Sequence, residues 1–278
     1  MNTSNRLQSG GSLLVEQLIE NKTDLAFFVP GESYLDVLNS MYDKKNTLKL
    51  INARHEAGAA NMAEAYGKLT GKPGIAFVTR GPGACHASIG VHIASQDSTP
   101  MILFIGQVST DSMEREAFQE IDYKQMFNPI AKWVTQIDKI ERIPEIISRA
   151  YRTALSGRPG PVVISLPEDI LSEKTRTRPL PSFTQEKSDI RVESIEKLRN
   201  ILSASKKPLL LLGGGSWTDK SVVSICEFAE ANNLPIATSF RRLDCVTLKN
   251  KNFVGDFGTS GPVSLIRNMH EVDALFVV

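Results

Sequence analysis

The sequence predicts an α/β protein: a parallel sheet flanked by helices, followed by a second α/β domain that is cut short. Short apolar runs of strand length alternate with longer stretches of helical period. Glycine or proline stands where most of these runs stop. The 278 residues amount to about two domains at roughly 150 residues each.

Taken in order, residues 11–21 form a helical pattern with Leu14, Val15, Leu18 and Ile19 on one side. The run LAFFV (25–29) reads as a buried strand stopped by Pro30-Gly31. A helix follows with Leu35, Leu38 and Met41 on one face, then LKLINA (48–53) as strand. Residues 55–69 are alanine-rich and helical, and Gly71 stands where a C-cap belongs. Strands are expected at 75–79, 101–105 and 161–166, with helical patterns at 84–95 and 143–155 between them. Strands alternating with helices imply βαβ units and a sheet covered on both faces, so residues 1–170 make the first domain. Residues 171–191, polar and proline-containing, are the expected linker. The second domain, 192–278, has helices at 194–202, 220–231 and 262–270, and strand-like runs at 208–215 and 235–239. The closing run DALFVV (273–278) reads as a central parallel strand, which normally leads into a covering helix. The expectation is therefore the front portion of a longer enzyme.

Composition excludes several classes. Lys+Arg is 32 and Asp+Glu 31, a formal charge of +1, which gives no electrostatic reason to expect nucleic acid or an anionic membrane as partner. The apolar runs are too short to span a bilayer, and no export signal opens the chain. Three scattered cysteines without a CxxC pair argue against a disulfide framework and suit a reducing cytoplasm.

Several motifs begin and then fail. His55-Glu56 opens HEAGA, but the zinc-protease pattern needs histidine where Ala59 stands. Gly71-Lys72 ends like a phosphate loop, yet Pro73 replaces the hydroxyl residue and Tyr66 the first glycine. Gly213-Gly214-Gly215 lies between strand and helix, but Thr218 replaces the last glycine of GxGxxG. A close approach to phosphate and a plain tight turn both fit it. The four histidines, His55, His86, His92 and His270, show no ligand spacing.

What remains is a set of unusual segments. VPGES (29–33), ARHEAGAANMAEAYGKLTG (53–71), VTRGPGACHA (78–87) and GQV (106–108) each lie just beyond an expected strand, where a parallel sheet carries its ligand crevice. EAFQEID (116–122) and SGRPGPVVISLPED (156–169) follow. Glu56 stands out, about three residues past a strand at the opening of a helix with a small-residue face of Gly58, Ala59, Ala60, Ala63, Ala65 and Gly67. It reads either as a first-turn carboxylate favoured by the helix dipole, or as a carboxylate in a dry contact that hydrogen-bonds a basic nitrogen.

Together these segments resemble the N-terminal half of thiamine-diphosphate-dependent enzymes of the acetohydroxyacid (acetolactate) synthase type. The family pattern RHExxAxxMAxG, VTxGPG, DSxP, GQV, AFQE and SGRPGPV appears as RHEAGAANMAEAYG, VTRGPG, Asp97-Ser98-Thr99-Pro100, GQV, AFQE and SGRPGPV. The resemblance implies that residues 1–170 are the pyrimidine-binding domain, and that Glu56 hydrogen-bonds a ring nitrogen of the cofactor's aminopyrimidine. The exocyclic nitrogen then acts as base toward the thiazolium carbon, and the ylid attacks a 2-oxo acid. It further implies Gly31, Gly83 and Gln119 at the cofactor, Glu32 and Phe118 at the substrate pocket, and Arg158 at FAD. Magnesium would be held with the diphosphate by a domain carrying GDG and then asparagine, absent from these 278 residues. The intact protein is expected to be a homodimer or homotetramer in which the glutamate of one chain faces the cofactor of the other.

Three departures from the family pattern belong to this chain: VPGES in place of a glycine pair, Cys85-His86 in place of Thr-Asn, and TSFRRLD (238–244) in place of a more apolar segment. The histidines of the decarboxylase relatives are not found after the first strand, which favours a synthase-like carboligase or lyase. Two other readings fit the same residues: a non-catalytic or split subunit that complements a separate diphosphate-binding chain, and another lyase or decarboxylase of the same superfamily.

Overall fold

A computed structural model describes residues 7–184, 189–215, 217–247, 249–259 and 261–278. The chain divides into two units, Met1–Gln185 and Glu186–Val278.

The first unit begins with β1 (Gln8–Ser9) and α1 (Gly10–Glu20), where the Ser9 hydroxyl accepts the N–H of Ser12 as N-cap. Then come β2 (Leu25–Phe28), α2 (Leu35–Asp43), β3 (Lys49–Asn52), α3 (Glu56–Thr70), β4 (Gly74–Val78) and α4 (Pro82–Asp97). They are followed by β5 (Met101–Gln107), α5 (Tyr123–Phe127), β6 (Trp133–Gln136), α6 (Ile143–Leu155), β7 (Pro161–Pro167), α7 (Glu168–Ser172) and β8 (Lys174–Thr175). Six strands make a parallel sheet in the order β3-β2-β4-β5-β7-β6. One apolar layer joins it to α1, α2 and α6 through Leu14, Val37, Phe77, Phe104 and Ile147. The other joins it to α3, α4 and α5 through Ala60, Ala63, Val91, Ile105 and Phe127. Every residue of β4, β5 and β7 is buried, as a parallel sheet covered on both faces requires.

The alanine-rich character of α3 is a packing device. A Cβ added at Gly90 of α4 would lie 2.5 Å from the Cβ of Ala60, so the two helices touch almost backbone to backbone. Gly71 ends α3 at φ 69°, the left-handed cap expected of it.

The structure departs from the sequence reading in three places. Residues 171–184, expected as linker, remain on the first unit. β8 pairs with β1, buried Gln17 donates to the Leu180 carbonyl and accepts its N–H, and Asn21 Oδ1 accepts the N–H of Phe183. The backbone of this polar segment is satisfied by side chains of α1, which composition alone does not show. β6 and α5 had no expectation, being four and five residues long. Leu35, expected on the buried face of α2, is 54% exposed because it opens the helix at its outer end.

The second unit comprises α8 (Val192–Ala204), β9 (Pro208–Leu212), α9 (Asp219–Ala231), β10 (Ile236–Ser239), β11 (Phe253–Phe257), α10 (Val263–Asn268) and β12 (Ala274–Val277). Its parallel sheet has the order β11-β10-β9-β12, and among the described residues β12 pairs only with β9. The sequence reading omitted β11, which carries Gly255 at φ 126° and Asp256. The Gly213-Gly214 segment is a turn: the Gly213 carbonyl accepts from the Trp217 indole at 2.7 Å, its N–H donates to the Val278 carbonyl, and Gly214 takes φ 64°. Among the described residues, no helix is long and apolar enough to cross a membrane.

The α3–α4 contact yields a direct test. Gly90→Ala should destabilise the first unit by about 1–3 kcal/mol in urea denaturation, because the new methyl meets the Ala60 backbone as well as its side chain. An unchanged midpoint would contradict the close approach.

Candidate active site

The strand order reverses at β2. From β2 the chain steps outward to β3, then crosses back to β4 on the other side of β2. The carboxyl ends of β2 and β4 therefore flank a switch point, where such sheets open a crevice. Gly31 follows β2 there, and a Cβ on it would lie 2.3 Å from the Cβ of Thr79 at the end of β4. Thr79 Oγ1 and Ser33 Oγ share a 2.8 Å hydrogen bond that ties the two loops together.

Glu56 reaches this crevice as the first residue of α3. His55 is the N-cap, with extended backbone and Nδ1 accepting the Ala57 N–H at 3.1 Å. The Glu56 side chain is 15% exposed, and its Oε2 lies 2.9 Å from Nδ1 of His86 on α4. The imidazoles of His86 and His55 stack at 4.4 Å with 27° between their planes. Glu56 Oε1 faces Gly83, where an added Cβ would sit 3.7 Å from it and 3.0 Å from Thr79 Cγ2. Glycine there leaves one side of the carboxylate open. Beneath it, the Tyr34 hydroxyl donates to the Val29 carbonyl. Burial first, and the charge of Glu56 second, hold that phenol far above its ordinary range, so it remains protonated.

A second group gathers around Arg80 and Gly81. Arg80 Nη2 meets Glu32 Oε1 at 2.9 Å, and Nε donates to the Phe118 carbonyl at 3.1 Å. Its buried Nη1 has no hydrogen-bond partner among the described residues and lies 3.9 Å from Glu168 Oε2. Gly81 takes φ 59° and donates its N–H to the Tyr123 hydroxyl at 2.9 Å; a Cβ there would meet that of Gln119 at 2.7 Å. Gln119 itself has φ 64°, and the Phe118 ring is 73% exposed.

Of the residues singled out from the sequence, Gly31, Glu56 and Gly83 thus share the crevice through Thr79, while Glu32, Phe118 and Gln119 adjoin Arg80-Gly81. Arg158 lies elsewhere. Its Nε donates to Ser98 Oγ at 2.7 Å and its Nη2 to the carbonyls of Ser95 and Gln96, which caps the C-terminus of α4. Glu56 meets that helix at His86, ten residues before Gln96 and so about 15 Å away at 1.5 Å per residue. Sequence reasoning missed Thr79, Arg80 and Tyr123. Arg80 and Thr79 stood inside VTRGPG, so the signal was present; Tyr123 gave none.

Residues 8–126 match the thiamine pyrophosphate enzyme N-terminal TPP binding domain, and residues 195–278 match the thiamine pyrophosphate enzyme central domain. The chain belongs to the thiamine pyrophosphate enzymes. It is 33% identical to the acetolactate synthase large subunit of Haemophilus influenzae over 96% of this chain and 48% of that protein. It is likewise 33% identical to the isozyme 3 large subunit of Escherichia coli acetolactate synthase, over 97% of this chain and 48% of that one. Identity to the acetolactate synthase large subunit of Lactococcus lactis is 34%, over 97% and 47%. The chain spans about half the length of these relatives and matches their N-terminal half.

The Tyr123 contact makes the Gly81 turn testable by titration. Burial pushes the Tyr123 phenol up to about 12, from an ordinary 10.0. The fold favours the neutral phenol, so this contribution to stability is complete below pH 10.0 and is lost as pH rises toward 12. The difference in phenolate absorbance between the chain and its Tyr123→Phe variant should be centred near pH 12; a midpoint at 10.0 would contradict the buried placement.

Proposed function

We propose that this chain supplies the aminopyrimidine-facing part of a thiamine-diphosphate enzyme that decarboxylates a 2-oxo acid and joins the product to a second 2-oxo acid, as acetolactate synthases do. The observation that carries the reading is the Glu56 carboxylate, mostly buried at the switch point with Oε1 open beside Gly83. A flat basic heterocycle fits this donor set: a carboxyl oxygen for its edge nitrogen, beside two loops that Gly31 and Gly83 allow to pack closely on Thr79.

When bound, the thiazolium of thiamine diphosphate supplies the acidic carbon and the electron sink for loss of carbon dioxide. Glu56 would hold a proton at Oε1 against a ring nitrogen of the aminopyrimidine, which sets the protonation of the ring. Its position at the first turn of α3 fixes the direction of that bond, since the N-cap His55 locks the helix start. The Ser33–Thr79 bond keeps the two glycine loops at a constant separation. Glu32, held by Arg80, and the exposed Phe118 ring would border the 2-oxo acid, with Gln119 between them and the cofactor.

The proposal assigns the diphosphate and its magnesium to residues outside these 278, which contain no GDG segment. FAD, where the intact protein binds it, would meet this chain at Arg158, whose Nε and Nη2 cap α4. Two copies of the intact protein would pair, as a homodimer or within a homotetramer, so that Glu56 of one faces the cofactor of the other, in the cytoplasm.

The test uses a protein in which these residues are joined to a diphosphate-binding domain, screened with 2-oxo acids for carbon dioxide release. Glu56→Gln should lower kcat by about 10²–10⁴-fold with an unchanged circular dichroism spectrum. Turnover near that of the unsubstituted protein would overturn the assignment.

A further inference from the structure

We propose that His55, Glu56 and His86 form a binding site for a divalent ion of the zinc class, built on the carboxylate assigned above to the cofactor. The site itself stands on geometry alone. Its consequence, that a bound metal withholds Glu56 from the aminopyrimidine, rests on the proposed function.

One donor atom from each residue lies within 4.8 Å of the other two. Two imidazole nitrogens and a carboxylate oxygen are the ligand set that zinc takes at about 2.0–2.2 Å, with a fourth position left to water. Tetrahedral ligands at that range sit about 3.4 Å apart. The Glu56 Oε2–His86 Nδ1 pair, at 2.9 Å, is already inside that spacing. That pair has to open by about 0.5 Å to share a metal, and His55 has to turn toward it. The stacked rings, 27° from parallel, aim their nitrogens side by side, so a turn of the exposed His55 side chain is what makes them converge. A metal at Nδ1 of His86 takes the lone pair there, and the neutral ring keeps its one proton on Nε2. Whichever nitrogen of His55 binds, the cap on the Ala57 N–H is lost, since ligation at Nε2 puts the ring proton on Nδ1.

Sequence spacing conceals this set. Two donors are adjacent, but the third stands 30 residues after Glu56, on a different helix, and only the close approach of α3 and α4 brings it in. Both helices present their N-terminal ends here, which disfavours a cation. The ion must therefore be one that forms strong bonds to nitrogen. Zinc, cobalt, nickel and copper qualify, whereas magnesium prefers oxygen and water.

Cobalt(II) added to the 278-residue chain provides the readout. The expected result is one saturable equivalent with the visible absorption of a four-coordinate site, displaced by zinc and untouched by millimolar magnesium. The Ala57 amide resonance should move as the cap opens. His86→Asn and Glu56→Gln should each weaken binding by about tenfold or more. His86 is half exposed, so its variant should keep the far-UV circular dichroism of the parent. Absence of a saturable cobalt signal would overturn the proposal, as would a signal that both variants leave intact, including one carried by Cys85. Either failure leaves the cofactor assignment standing, because that assignment is decided by turnover of Glu56→Gln.

Discussion

The close contact of α3 with α4 is the constraint on which the site rests. Ala59, Ala60 and Ala63 on one helix, and Ala87, Gly90 and Ala94 on the other, are buried without a side chain longer than a methyl between them. Both helices begin at the carboxyl edge of the sheet, so the contact places their first turns side by side. Glu56 and His86 meet there as a consequence. Larger residues at the interface would separate the helix starts, and the carboxylate would lose both its partner and its position relative to Gly83. The small-residue stripe thus sets the geometry of the candidate site, although none of its side chains carries chemistry.

The loops at the strand ends add a second kind of order. Glu32, Arg80 and the Phe118 carbonyl connect the segments after β2 and β4 with the turn before α5. Positive φ at Gly81 and Gln119 lets these backbones pass each other closely.

Much of this was legible in the sequence. Strand ends marked by Pro30-Gly31 and Gly81-Pro82-Gly83 located the crevice, because glycine and proline report backbone geometry locally. Glu56 was legible for the same reason, as an acidic residue just past a strand at a helix start. The His86–Glu56 pair was not, since it depends on two helices packing at a distance that no local pattern records. The segment 171–184 was misread because its apolar content is low, while buried Gln17 supplies the partners its backbone needs. Arg158 sits in a motif shared with the family, yet its hydrogen bonds close the end of α4, about 15 Å along the helix from the His86 that meets Glu56.

The central claim is a hydrogen bond between one carboxyl oxygen and one heterocyclic nitrogen. A crystal structure of the intact protein with thiamine diphosphate and magnesium measures it directly. The account predicts a pyrimidine ring nitrogen about 2.6–3.2 Å from a Glu56 carboxyl oxygen, with the ring between the Gly31 and Gly83 loops. A cofactor bound with its pyrimidine away from these loops, and Glu56 still paired only with His86, would contradict it.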